Sequence, residues 1–305
     1  IYCICLPFQF MYNCIAAALR GLGDSRATLY FLAVSSAANI ALDLLFVAKL
    51  DMGVAGAAWA TVISQALCAA ASLVYMRIRF PEYCAVRTFS KHNCACIIRL
   101  GLPSAISQGI MSVGQMAMQR LVNSYGDTYM AAYTAGSRIE QFLFITGYAF
   151  QSGVASFTGQ NIGAGNLLRV RCGLKKAVCM TCCTSAVLTV VLIIFARPVV
   201  ALFGLSGMPL ELGVTQIRFT SLPFVIFAFY LAIIGLLQGS GDTAYSSLTA
   251  LCGLSARVLT GYLLVWTGVL GYSAGWATMP VGWIAGAIMG TVRYVSGKWK
   301  AKALT

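Results

Sequence analysis

The chain has 305 residues, 59% of them hydrophobic and 10% charged, with 21 Lys and Arg against 8 Asp and Glu and a formal net charge of +13. A soluble globule of this length needs far more polar surface facing water, so composition excludes a soluble enzyme. The basic residues sit in short connections between apolar runs rather than on one soluble face, which speaks for membrane topology and against nucleic-acid binding.

A helix needs roughly 20 apolar residues to cross a bilayer. By that measure the chain reads as an all-α polytopic membrane protein with nine spans, at 1–19, 27–48, 54–78, 99–123, 128–158, 171–196, 210–237, 243–267 and 271–294. None of the runs alternates with period two, so a transmembrane barrel fits poorly. The first run opens as "IYCICLPFQF" without a Met, and the sequence is therefore expected to be a piece of a longer chain. Between the first two spans stands the polar turn Gly21-Leu22-Gly23-Asp24. After the third comes a basic, aromatic stretch, 79–98, which reads as a cytoplasmic linker between 1–78 and 99–305. "GQNIGAGNLLRV", 159–170, follows an apolar helix rather than a strand and lacks a Lys-Ser or Lys-Thr ending, so it reads as a helix cap and turn and not as a phosphate loop. A second polar turn, Gly239-Ser240-Gly241-Asp242, precedes the eighth span.

If successive connections face opposite sides, one side collects Arg20 and Arg26, the 77–99 cluster, Arg169 to Lys176, and the basic tail after Arg293. The other side holds Lys49, Arg197 and Arg218. The richer side is the cytoplasmic one, and both Gly-x-Gly-Asp turns fall on it. Asp24 and Asp242 are each placed to cap the following helix.

Sliding the chain on itself by 218 residues brings Leu19, Gly21, Gly23 and Asp24 onto Leu237, Gly239, Gly241 and Asp242, and Leu45 and Gly53 onto Leu263 and Gly271. Such a match is the mark of an internal repeat. Six spans separate the two copies, so they enter the membrane in the same direction, as parallel repeats about an axis along the membrane normal. Spans four to six then lack counterparts in front of residue 1, so a complete protein would have about twelve helices in two lobes.

The run "LRGLGDSRATLYFLAVSSAANIALDLLFV", followed by "GVAGAAWATVISQ", "GLPSAISQ" and "FTGQNIGAGNLLRV", resembles the multidrug and toxic compound extrusion transporters, the MATE family, and within it the DinF-like branch. The resemblance runs from the first residue into the last helix. It implies a two-lobed bundle of twelve helices, of which about the first three are absent here, and export of organic cations or other amphiphiles in exchange for protons or sodium. It also implies a cation site in the amino-terminal lobe formed by Asn39, Asp43 and Thr61 together with an Asp on the first helix, which this chain does not contain. Sodium-coupled relatives carry a Glu after the "GLP" motif, whereas this stretch, "GLPSAISQGIMSVGQMAMQ", has no acid. A carboxy-lobe sodium site is not expected.

The residues themselves point the same way. Asn39 and Asp43 are four apart and share a helix face, and a carboxylate inside a membrane commonly marks an ion or proton path. Thr61 adds a hydroxyl oxygen of the kind Na⁺ accepts. A plain alternative is that Asn39 and Asp43 only join helices by hydrogen bonds. Gln108, Gln115 and Gln119 fall on one face of the fourth span, and with Met111, Phe144 and other Met and aromatic side chains they could line a substrate cavity. Glu140 could attract a cationic substrate or carry a proton, or simply pair with Arg257. The 12 cysteines read as reduced apolar side chains. His92, Cys94 and Cys96 are too few and too crowded for zinc.

The expectation is thus a proton- or sodium-coupled antiporter, not an enzyme, with no cofactor and no resident metal beyond a possible Na⁺ at Asn39, Asp43 and Thr61. Its substrate cavity is expected at Gln108, Met111, Gln115, Glu140, Phe144 and Arg257. Its partners are small cationic or amphiphilic molecules and the lipid bilayer, with no nucleic acid. It is expected as a monomer, multi-pass in a prokaryotic plasma membrane. A flippase for lipid-linked sugars or lipids, and a non-transporting scaffold, are the alternatives.

Overall fold

The computed structural model describes residues 1–82, 90–268 and 273–302. Every long apolar run is helical, and there is no strand among the described residues. The chain divides into two units, Ile1–Ser90 and Lys91–Thr305.

Unit one holds α1 (Leu6–Gly21), entered through a 3-10 turn at Tyr2–Cys5, then α2 (Ser25–Asp43) and α3 (Gly53–Arg79). Pro7 stands in the first turn of α1, where its missing N–H is not needed. Past Asp43 the α2 backbone slips into a wider π turn, Leu44–Lys49. α3 packs on both other helices, around Tyr12, Ala16, Cys68 and Ala69. Ser35 donates its hydroxyl to the Ser64 carbonyl at 3.1 Å.

Unit two runs through α4 (Lys91–Asn123), α5 (Asp127–Gly163), α6 (Leu167–Ala201), α7 (Met208–Ser221), α8 (Phe224–Gly239), α9 (Thr243–Trp266), the short α10 (Ala274–Ala277), α11 (Met279–Val295) and the short α12 (Trp299–Lys302). Its hub is α8, in which every residue from Leu231 to Leu237 is buried. A helix apolar all round can face lipid or other helices, and here α5, α6 and α11 enclose it. The approach is close because Gly235 and Gly239, four apart, face α5. A Cβ at Gly235 would stand 2.5 Å from the Gln151 carbonyl oxygen, and one at Gly239 would press into that of Ala155. Gly282 on α11 likewise meets the backbone of Gly253 on α9, where a Cβ would lie 2.7 Å from the Gly253 oxygen.

Six helices among the described residues are long and apolar enough to cross a membrane, seven if α7 and α8 count as one broken span. The protein is a multi-pass membrane protein. The expected single span at 210–237 is corrected: α7 and α8 meet at 49°. Pro223 has no N–H to continue the ladder, and its ring crowds the carbonyl one turn before it. α5, diluted by polar residues such as Arg138, Glu140 and Gln141, and α11, with 17 residues, are helical without meeting the same measure. In the expected linker at 79–98, residues 83–89 lie outside the described residues, and helix α4 already begins at Lys91. Gly271 of the repeat and the side chain of His92 also lie outside them.

The polar turns are helix-ending loops of one design. Gly23 and Gly241 take φ of 89° and 82°, a left-handed conformation that only glycine adopts cheaply. The following N–H then reaches back to the carbonyl five residues earlier, Asp24 to Leu19 at 2.8 Å and Asp242 to Leu237 at 2.9 Å. "GAGN" at 163–166 is a third copy: Gly165 has φ 72°, Asn166 N–H bonds the Asn161 carbonyl at 2.8 Å, and the Asn166 side chain caps α6 by accepting from Arg169 N–H at 3.0 Å.

Because the α5–α8 contact is backbone against backbone, Gly239→Val is expected to destabilise the fold by about 2 kcal/mol or more. Gly109→Ala, which adds a methyl into open space, should be neutral. Thermal unfolding of the two variants in detergent checks the contrast.

Candidate functional site

Among the places where buried polar atoms lack a hydrogen-bond partner, two hold residues that the sequence singled out as site candidates. In unit one, the Asn39 Nδ2 and Asp43 Oδ1 atoms are buried and have no hydrogen-bond partner. They lie one turn apart on α2, immediately before the π turn, a distortion often found at functional positions. Thr61 on α3 donates its hydroxyl to the Ala57 carbonyl at 3.0 Å, which leaves the oxygen's lone pairs free to accept.

In unit two, helices α4, α5, α8, α9 and α11 surround a cavity of about 300 Å³. Five of the six residues expected at a substrate cavity line it: Gln108, Met111, Gln115, Phe144 and Arg257. One wall is aromatic. Phe227 is the centre of it, with ring centroids 5.0 Å from both Phe144 and Trp283 and 6.2 Å from Tyr148. Opposite in character are the neutral polar residues, including Ser104, Ser107, Ser247 and the Gln151–Gln238 pair, whose side chains bond at 3.0 Å.

A family profile, MatE, matches residues 103–263, more than half of the chain. The chain belongs to the MatE family. It is 28% identical over 302 residues to the probable multidrug resistance protein YpnP of Bacillus subtilis (strain 168), covering 97% of this chain and 67% of that protein. To the probable multidrug resistance protein NorM of Thermotoga maritima it is 24% identical over 301 residues, covering 95% of this chain and 64% of that protein. A crystal structure of MATE in the bent conformation shares the fold, with a TM-score of 0.85 at 23% identity over 97% of this chain and 67% of that one. The chain spans about two thirds of the length of these relatives. MatE proteins are transporters and not enzymes, so what matters in each site is binding and charge rather than bond-making.

Glu140, the sixth residue expected at the cavity, is not among its lining residues. Its carboxylate is 3% exposed and is held by α7: Thr220 donates to Oε1 at 2.7 Å and Gln216 Nε2 at 3.2 Å. Gly136, one turn before it on α5, makes the room, since a Cβ there would stand 2.6 Å from the Gln216 side chain. Sequence reasoning missed Gln216 and Thr220 because α7, which carries them, ends before the bend at Pro223 and turns its faces independently of α8, whereas the sequence reads the two as one span. The expected pairing of Glu140 with Arg257 is not found: no ion pair joins them among the described residues. Arg138 lies on another face of α5, in a broad groove with Asp127, Gln119 and Asn123. So Gln119 leaves the row that Gln108 and Gln115 keep. Of the other Met and aromatic candidates, Tyr148 joins Met111 and Phe144 at the cavity, whereas Met118 is packed at 1% exposure and Phe142 faces outward at 72%.

The acids of the two repeated turns are both engaged elsewhere. Asp24 caps α2 at Ala27 N–H, 3.2 Å, and accepts from the Tyr75 hydroxyl at 2.7 Å. Asp242, contrary to the expected capping role, makes no side-chain cap and is bound instead by Arg293 Nε at 2.7 Å. That guanidinium also stacks over Tyr245, 4.6 Å from the ring centroid. Tyr75 and Arg293 are themselves 218 residues apart. The same repeat shift that reveals the turns would have revealed their partners.

Glu140→Leu removes the acceptor of two buried donors and is expected to cost about 1–3 kcal/mol, whereas Glu140→Gln keeps an acceptor oxygen and should cost less. Arg293→Met strands the Asp242 carboxylate and should cost about 3 kcal/mol or more. Chemical or thermal unfolding in detergent ranks all three.

Proposed function

We propose that this MatE protein is a secondary active exporter of amphiphilic small molecules, driven by protons or sodium ions that bind at Asp43 with Asn39 and Thr61. The reading is carried by one observation: the Asn39 Nδ2 and Asp43 Oδ1 atoms are buried on one face of an apolar helix without partners. A carboxylate oxygen buried in an apolar helix face without a partner is costly, and a bound proton or cation would supply that partner. Binding therefore changes the relative energies of two packings of the bundle, which is the physical requirement for alternating access. The names of the relatives in Bacillus subtilis and Thermotoga maritima support efflux of several small molecules. Their bacterial origin supports a prokaryotic plasma membrane, and we assign the working unit as a monomer with no cofactor other than the coupling ion.

Reconstituted in liposomes with pH and sodium gradients imposed separately, the protein is expected to move fluorescent amphiphiles along one gradient or the other. Asp43→Asn should slow that movement at least tenfold under either gradient. A wild-type rate in Asp43→Asn would overturn the proposal, and the gradient that drives the wild type identifies the ion.

A further inference from the structure

The unit-two cavity has a polarity of its own. Arg257 is the one charged residue that lines it, and no Asp or Glu does. The Nε of Arg257 is buried without a hydrogen-bond partner. The ion pairs among the described residues are Arg197 with Glu211 and Arg293 with Asp242, so its guanidinium is not neutralised by contact. Glu140 attracts it through space, but that carboxylate is already committed to Thr220 and Gln216. The repeat sharpens the contrast. Position 257 is 218 residues after Asn39, and Gly261 is 218 after Asp43. The position of the neutral Asn39 in unit one thus carries an arginine in unit two, and the position of Asp43 carries no side chain at all.

An arginine inside an apolar bundle persists where it is paired or where it faces a polar cavity that a counter-charge can enter. Here a cavity is present, of about 300 Å³, large enough for a ligand of roughly two fused rings. Phe144, Phe227 and Trp283 offer ring faces for such a system to stack on. Gln108 and Gln115 can serve either sign of polar group, because an amide both donates and accepts. The sign of the ligand is therefore set by Arg257, whose planar fork matches a carboxylate and repels an ammonium. Cation–π attraction to the wall is too weak to offset that repulsion at close range in a desolvated site.

We propose that the unit-two cavity binds flat aromatic anions, with Arg257 as the charge partner and the Phe227 wall as the stacking surface. This names the substrate class of the exporter described above and rests on that reading only in calling the ligand cargo. It also narrows the expected range of organic cations and amphiphiles to the opposite charge at this site.

The test is equilibrium binding to the purified full chain in detergent with no gradient, followed by titration calorimetry with three ligands on one ring system: 2-naphthoate, 2-naphthylmethyl-trimethylammonium and 2-naphthylmethanol. The anion is expected to bind at least tenfold tighter than the ammonium. Arg257→Gln should weaken naphthoate about tenfold and leave the alcohol within twofold, which shows at once that the cavity is still folded. Arg257→Lys should recover part of the loss. Tighter binding of the ammonium, naphthoate affinity unchanged by Arg257→Gln, loss of anion and alcohol together, or no binding of any of the three would each overturn the proposal. If naphthoate binds as expected but no imposed gradient moves any amphiphile in liposomes, the exporter reading falls and the anion site stands.

Discussion

A charge or an unpaired polar atom inside a bilayer must find a partner, because there is no water in the hydrocarbon to supply one. The wholly or partly buried acids Asp24, Asp43, Glu140 and Asp242, with Arg257 and Arg293, divide under this constraint. Asp24 has the Ala27 N–H and the Tyr75 hydroxyl, Asp242 has Arg293, and Glu140 has Thr220 and Gln216. These are held by the protein itself and belong to its scaffold. Asp43 with Asn39, and Arg257, are left with buried atoms unsatisfied. They are the groups to which we assign a transported ion or molecule as partner.

The scaffold residues of unit two keep its cavity in shape. Contact through Gly235, Gly239, Gly253 and Gly282 lets backbones meet at distances that any side chain would prevent, so α8 serves as a rigid post against which α5 and α11 are set. The cavity survives beside this packing because its wall is built from large aromatic rings that brace one another edge to face, Phe144 on Phe227 and Tyr148 on Phe227. The turn at 239–242 is pinned at the foot of the same helices by the Asp242–Arg293 pair, 2.7 Å and largely buried.

The repeat has kept its backbone and changed its chemistry. Both copies end a helix on a left-handed glycine and start the next after an Asp, and in both the Asp is gripped by the residue 51 positions later. Yet the partner is a hydroxyl in one copy and a guanidinium in the other. The face carrying Asn39 and Asp43 in the first copy carries Arg257 and Gly261 in the second. Duplicating a helical frame costs little when the frame depends on glycines and apolar runs, and the side chains facing a cavity are then free to diverge.

Length, apolarity and spacing in the sequence by themselves determined the membrane class, the helical runs, the repeat, and the fact that Asn39 and Asp43 share a face, since these depend on local periodicity alone. Gln108, Met111, Gln115, Phe144 and Arg257 could be named as cavity candidates for the same reason: polar and aromatic residues in apolar helices are conspicuous. Only the tertiary structure decided that these five stand around one cavity while Glu140 is turned to Gln216 and Thr220, that Gln119 joins Asp127 in a different groove, and that the seventh run breaks at Pro223. The physical reason is that a helix's rotation and bend are set by what packs against it. A shift of one residue carries a side chain about 100° around the axis, and no pattern along a single helix records which neighbour it will meet.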